Sequence, residues 1–157
     1  MNGRRAFIRS QLSLFKPFAE KCSLSVVRRT QDSVGKLMAG SYKDQVCTEN
    51  IKVGHLNCAM LTPKEELSGG VILYLHGGGF VSGNLDYAKG FGSALAVRCG
   101  IKVFVVEYRL APEHPYPAAL DDAMDAYGYL LSGGFEPSRI ALCGESSGGG
   151  LCYALCQ

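Results

Sequence analysis

The residues Gly144-Glu145-Ser146-Ser147-Gly148 form a Gly-x-Ser-x-Gly pattern directly after a short apolar run. Between a strand and a helix, this pattern makes a sharp turn that exposes a serine hydroxyl as a nucleophile. Such a serine needs a histidine base and a carboxylate, which in this kind of chain both follow the serine. No histidine, aspartate or glutamate lies between Ser146 and Gln157. We therefore predict a nucleophilic Ser146 whose base and acid are missing from this sequence.

A second turn, His76-Gly77-Gly78-Gly79, follows the apolar run Val71–Leu75. Glycines let backbone N–H groups turn inward, and fixed N–H donors stabilise the oxyanion formed when an ester carbonyl is attacked. Alone, the motif also fits a flexible turn or a phosphate loop. A phosphate loop would continue with Gly-Lys-Ser or Gly-Lys-Thr, whereas Phe80-Val81-Ser82 follows here. Together with the serine pattern, the turn indicates an oxyanion hole.

Two further histidines and a proline-rich loop lie outside these motifs. Tyr108–Ala123 contains three closely spaced prolines, and we expect Arg109 to hold the loop by pairing with a carboxylate such as Glu113 or Asp121. His114 precedes Ser146, so the chain order speaks against it as the base. His55 has no evident partner, and His76 is expected to order its turn and not to transfer protons.

The motifs are spaced by apolar runs and helical patterns. Predicted strands cover 71–75, 101–106 and 139–143, and predicted helices cover about 87–98, 118–131 and 149–156, the middle one with Leu120, Met124, Tyr127 and Leu131 on one face. Continuous apolar strands between helices predict a mostly parallel sheet with helices on both faces. Residues 44–62 predict one hairpin. The pattern of residues 4–40 predicts amphipathic helix that is kinked or split at Pro17. Its first part has Ile8, Leu12, Phe15 and Ala19 on one face, and a second stretch has Val27, Val34 and Met38 at similar spacing.

Composition excludes several classes of function. Hydrophobic residues make up 47% of the 157 residues and the net charge is +2, so a packed domain is expected and nucleic acid is not an expected partner. No apolar run has the length of a membrane span. The seven cysteines lack the paired spacing of a zinc site, so we expect no metal or other cofactor, and reduced thiols in a cytoplasmic protein.

The two motifs and the Tyr108–Ala123 loop together resemble the hormone-sensitive lipase family of α/β-hydrolases, over about Val71 to Cys152. The resemblance implies Ser146 as the nucleophile and Gly78, Gly79 and Ser147 as oxyanion donors. Gly77, together with His76, would shape the first turn, and Gly144 and Gly148 would let the strand and helix of the second turn pack closely. Glu145, Ser147 and Tyr87-Ala88-Lys89 depart from the family's usual Asp, Ala and Ser/Thr-x-His.

The resemblance also implies a division of the chain and a function. Residues 1–40 would form a helical cap segment, and residues 41–157 the N-terminal part of an α/β-hydrolase domain that stops after the nucleophile turn. The intact protein would be a carboxylic ester hydrolase acting on small-molecule esters, while these residues alone would be inactive. The alternative function left open is that of a small-molecule-binding relative without catalysis, since fold does not fix function. For the assembly, a homodimer is left open.

Overall fold

A computed structural model describes residues 23–157 as a five-stranded sheet with helices on both faces. The strands are β1 (Val46–Val53), β2 (Leu56–Pro63), β3 (Val71–Leu75), β4 (Lys102–Glu107) and β5 (Ile140–Gly144). The helices are α1 (Leu24–Ser41), α2 (Leu85–Cys99), α3 (Ala118–Ser132) and α4 (Ser147–Leu155), with a short 3₁₀ turn at Pro137–Arg139.

The sheet has the strand order β1-β2-β4-β3-β5. Strand β3 lies between β4 and β5 and is parallel to both, with Leu73 opposite Phe104 and Leu142. The predicted hairpin is present as β1 and β2, and β2 pairs antiparallel with β4. The sheet is therefore mixed, with a parallel centre that brings the ends of β3 and β5 side by side.

Both faces of the central strands are buried, as the continuous apolar runs predict. Leu73, Leu75 and Phe104 pack on one side against the small residues of α3 and against Leu151 of α4. Tyr74, Val103 and their neighbours pack on the other side against Ala88 and Ala96 of α2. Strand β3 is buried over its whole length, which is the environment of a strand covered on both faces.

Helix α3 packs against the core through only half of the predicted apolar face, and mainly through the small residues beside it. The residues that it buries are Ala118, Asp122, Ala123, Ala126 and Leu130. Met124 is 58% exposed and Leu131 38% exposed, whereas Leu120 and Tyr127 are partly buried. The small alanine side chains let the helix axis lie close to the sheet. The helix therefore packs through its alanines, and the larger apolar side chains Met124 and Leu131 are left at the surface.

Helix α1 lies against α2 through glycines. A Cβ at Gly35 would lie 2.3 Å from Tyr87 Cα, and one at Gly90 would lie 2.6 Å from the Gly35 carbonyl oxygen. The predicted face is wrong at Val34, which is 43% exposed. Most of the predicted first helix, including Pro17, lies outside the described residues, and the cap assignment of 1–40 stays a prediction.

Candidate active site

Ser146 stands at the junction of β5 and α4, at the carboxyl end of the parallel strands. Its backbone has φ 50° and ψ −118°, a left-handed conformation that a side chain adopts only under strain. The residue is exposed although its neighbours are partly buried. This strained strand-to-helix turn has the geometry of a nucleophile elbow.

The glycines on either side of Ser146 lie where the backbone leaves no room for a side chain. A Cβ at Gly148 would lie 2.0 Å from the Leu75 carbonyl oxygen, and one at Gly144 would lie 2.4 Å from the Gly148 carbonyl carbon. The start of α4 thus packs directly on the ends of β3 and β5. Any larger residue would push the Ser146 hydroxyl away from the neighbouring glycine turn.

The turn after β3 meets the elbow. A Cβ at Gly77 would lie 3.3 Å from Ser146 Cβ and 2.9 Å from the Glu145 carbonyl oxygen. Gly78 and Gly79 follow with φ 130° and φ 63°, values that glycine adopts readily. The structure therefore brings the two predicted motifs together, although they are far apart in the chain.

Three backbone N–H groups at this junction are the candidate oxyanion donors. Within residues 23–157, the N–H groups of Gly78 and Ser147 have no hydrogen-bond acceptor. The N–H of Gly79 donates to the Ser147 side-chain oxygen at 3.0 Å. Unpaired N–H groups at a glycine turn and a helix start can bind a developing negative charge.

The Glu145 side chain connects the elbow to β3, α2 and the glycine turn through hydrogen bonds, a role that the sequence did not reveal. Its Oε1 atom accepts hydrogen bonds from the Tyr87 hydroxyl at 2.8 Å, the Tyr74 hydroxyl at 3.1 Å and the Gly77 N–H at 3.3 Å. Glu145 and Tyr87, which both depart from the family pattern, are thus hydrogen-bonded to each other. Asn84 positions Tyr87 by capping α2, because its side chain accepts from the Tyr87 N–H.

His76 is buried beneath the glycine turn. Its ring stacks on Tyr108 with 4.2 Å between centroids, and its Nδ1 lies 2.8 Å from the Gly77 carbonyl oxygen. The Tyr108 hydroxyl donates to the His76 carbonyl oxygen at 2.5 Å. Burial lowers the pKa of His76, so its ring is neutral at pH 7. These contacts suit a residue that shapes the turn.

The partners predicted for Arg109 are wrong, and His55, for which the sequence indicated no partner, contacts the same carboxylate as Arg109. Arg109 pairs with the fully buried Asp122 and not with Glu113 or Asp121, through contacts of 2.7–3.1 Å from its side chain and its N–H. His55 Nε2 lies 2.9 Å from the same carboxylate. His55 precedes β2, three strand spacings from β5, or roughly 14 Å. It therefore cannot reach Ser146 as a base.

Arg28 of α1 joins two loops around the site, and no pattern in the sequence singles it out. It donates to the Val81 carbonyl oxygen at 2.7 Å, to the Ala111 carbonyl oxygen at 3.1 Å and to both carboxylate oxygens of Glu113 at 2.8 Å. Hydrogen bonding from Arg28 lowers the pKa of Glu113 to about 2. Helix α1 is thereby tied to the residues that follow the glycine turn.

An apolar cavity of about 480 Å³ opens beside Gly79. Its walls come from the glycine turn, the proline-rich loop, the start of α3 and α4, and include Phe80, His114, Tyr116, Leu120, Leu151 and Ala154. Cavities of this size and character bind the apolar part of small molecules.

Among residues 23–157, no group of three His, Cys, Asp or Glu side chains could hold a metal ion. None of the described helices is long and apolar enough to cross a membrane.

Comparison with known proteins agrees with this arrangement. The alpha/beta hydrolase fold family matches residues 72–157, more than half of the chain. An acetyl-hydrolase of Streptomyces hygroscopicus is 39% identical over 107 residues, which are 68% of this chain and 36% of that protein. An ethyl acetate hydrolase of Pseudomonas putida is 36% identical over 140 residues, which are 82% of this chain and 44% of that protein.

A solved structure gives the same result. The crystal structure of an esterase from the bacterial hormone-sensitive lipase family superimposes with a TM-score of 0.74 at 38% identity, over 85% of this chain and 44% of that one. The chain belongs to the hormone-sensitive lipase family of α/β-hydrolases, as its motifs predicted. It spans less than half the length of these three relatives.

Proposed function

We propose that the intact protein hydrolyses small carboxylic esters through an acyl-enzyme on Ser146. The observation that carries the proposal is the junction of the strained Ser146 with the glycine turn, where two N–H groups have no acceptor among residues 23–157. The names of two relatives, an acetyl-hydrolase and an ethyl acetate hydrolase, support a small acyl group. The apolar cavity beside Gly79 would receive the hydrophobic part of the ester.

The reaction would follow the general course for a serine nucleophile. Ser146 Oγ attacks the ester carbonyl carbon while a base takes its proton, and the carbonyl oxygen becomes an oxyanion held by the N–H groups of Gly78, Gly79 and Ser147. The carbon–oxygen bond to the alcohol then breaks, and the alcohol leaves with the proton from the base. Water attacks the acyl-enzyme in the same way, releasing the acid and restoring Ser146.

We further propose that the base and its carboxylate lie beyond Gln157 in the intact protein. The longer relatives support this, as do the positions of two described histidines. His76 is buried in its turn and His55 is held by Asp122 three strands from β5. The third histidine, His114, lines the cavity but precedes Ser146, whereas the base follows the serine in this chain order. Residues 1–157 alone would therefore lack general-base catalysis and would hydrolyse esters several orders of magnitude more slowly than the intact enzyme.

The thiols support a cytoplasmic location as a further part of the proposal. All six cysteines in the described part of the chain are unpaired, and Cys58 is buried. Exported proteins usually pair their cysteines.

The test compares the product of the complete reading frame, its Ser146→Ala variant and a polypeptide of residues 1–157. We expect nitrophenyl acetate hydrolysis and fluorophosphonate labelling only in the first. Labelling that persists in Ser146→Ala would reject Ser146 as the nucleophile. A complete protein that binds nitrophenyl acetate without cleaving it would identify a binding protein of the same fold.

A further inference from the structure

The side chain of Ser147 occupies one of the three proposed oxyanion donors. Its Oγ atom accepts a hydrogen bond from the Gly79 N–H at 3.0 Å. The N–H groups of Gly78 and Ser147 have no acceptor among residues 23–157. An alanine at position 147 would keep the backbone N–H and would leave Gly79 without this acceptor. The side chain of Ser147 therefore changes the site, although only its backbone is needed for the proposed chemistry.

The hydrogen bond from Gly79 defines what the Ser147 side chain offers to this donor. Because the Gly79 N–H donates to Ser147 Oγ at 3.0 Å, a lone pair of that oxygen faces Gly79. The neighbouring Tyr108 phenol donates its own proton to the His76 carbonyl oxygen.

We propose that the Ser147 hydroxyl is a positioning group that holds the Gly79 N–H in a hydrogen bond when the site is empty, so that an ester carbonyl must displace it. The inference rests on the proposed esterase function. A lone pair at this position competes with the oxyanion for the Gly79 donor and repels its negative charge. The hydroxyl thus slows hydrolysis and makes it sensitive to any substrate group that can move the side chain.

The test is the Ser147→Ala variant of the complete protein, with Ser147→Thr as the control that keeps the hydroxyl. Losing one neutral hydrogen bond from the resting site should raise kcat/KM for nitrophenyl acetate about fivefold. Ser147→Thr, which keeps the hydroxyl, should show no such increase. A merely structural role for the side chain would lower activity on truncation, so the sign of the change separates the two explanations.

A second readout follows the hydrogen bond itself. In ¹⁵N-glycine-labelled protein, the Gly79 amide proton should move upfield and exchange faster in Ser147→Ala, and should not change in Ser147→Thr. An active wild type with an unaccelerated Ser147→Ala variant, or an unchanged Gly79 amide, would overturn the inference and leave the esterase proposal intact. A wild type without hydrolysis and without Ser146 labelling would reject both.

Discussion

A buried carboxylate, Asp122, organises the loop that follows β4. It is fully buried, and it accepts from the backbone N–H and the side chain of Arg109 as well as contacting His55. Burial would raise the pKa of Asp122, but hydrogen bonds from Arg109 outweigh it and lower the pKa. The ionised form is thus the one that the folded protein stabilises, so this contribution is present above pH 4 and is lost as the pH falls through the lowered pKa.

Replacing Asp122 with alanine should therefore destabilise the protein. Breaking a buried ion pair costs about 3–5 kcal/mol, and we expect about 3 because the Arg109 side chain remains 34% exposed to water. Asp121→Ala is the matched control, since Asp121 is exposed on the same helix turn, and it should change stability by less than about 0.5 kcal/mol. Urea unfolding of the complete protein measures both, and equal effects of the two variants would contradict the prediction.

The same residues indicate how much of the site was predictable. Glycine spacing and chain order are local signals, and they were enough to find the two turns that the fold brings together. The choice between Asp121 and Asp122 depends on the rotation of α3 about its axis, which the packing of Ala123 and Ala126 on the sheet decides. The partnership of Glu145 with Tyr87 depends on the distance between two loops, and the spacing of residues along the chain carries no information about that.

At the scale of elements, α1 is held to α2 by a contact that only glycine permits. A Cβ at Gly35 would lie 2.3 Å from Tyr87 Cα and 2.5 Å from the Asp86 carbonyl oxygen. Because these neighbours are backbone atoms in a capped helix, they cannot rotate away as a side chain would. The two helices would have to separate, and Tyr87, which donates to Glu145, would move with them.

We expect Gly35→Ala to cost about 1–3 kcal/mol through overpacking, and to lower esterase activity by displacing Tyr87. Gly40→Ala is the control in the same helix, because a Cβ there meets nothing within 4 Å. It should be neutral or stabilising by up to about 1 kcal/mol, since alanine favours helix over glycine. Thermal melting and nitrophenyl acetate assays of both variants make the comparison, and an undisturbed Gly35→Ala protein would refute the close contact.

The elements themselves were well predicted where the chain is strongly patterned. Strands β3, β4 and β5 and helices α2, α3 and α4 lie within about two residues of their expected limits, as apolar runs bounded by glycine and proline usually do. The faces of α1 and α3 were less predictable. Both helices pack through glycine or alanine, and periodicity of large apolar residues does not detect such contacts.

At the scale of the whole molecule, the described sheet ends in β5 without a further partner among residues 23–157. Strand β5 pairs with β3 on one side, and the order β1-β2-β4-β3-β5 places it at the edge. Its residues are only partly covered, and Ala141 is exposed. The unpaired N–H and C=O groups of such an edge are a template for pairing with another chain.

A polypeptide of residues 1–157 produced alone should therefore self-associate through β5. Light scattering after size-exclusion chromatography should show oligomers whose proportion rises with protein concentration, because edge pairing between chains follows mass action. Ala141→Lys should reduce this association, since an edge lysine opposes pairing of a second strand through charge and solvation. Lys102→Ala, a charge change on the inner strand β4, serves as the control and should not reduce it. A monodisperse monomer with a sharp, reversible melt would show that the edge is protected, and the predicted role of β5 would then be wrong.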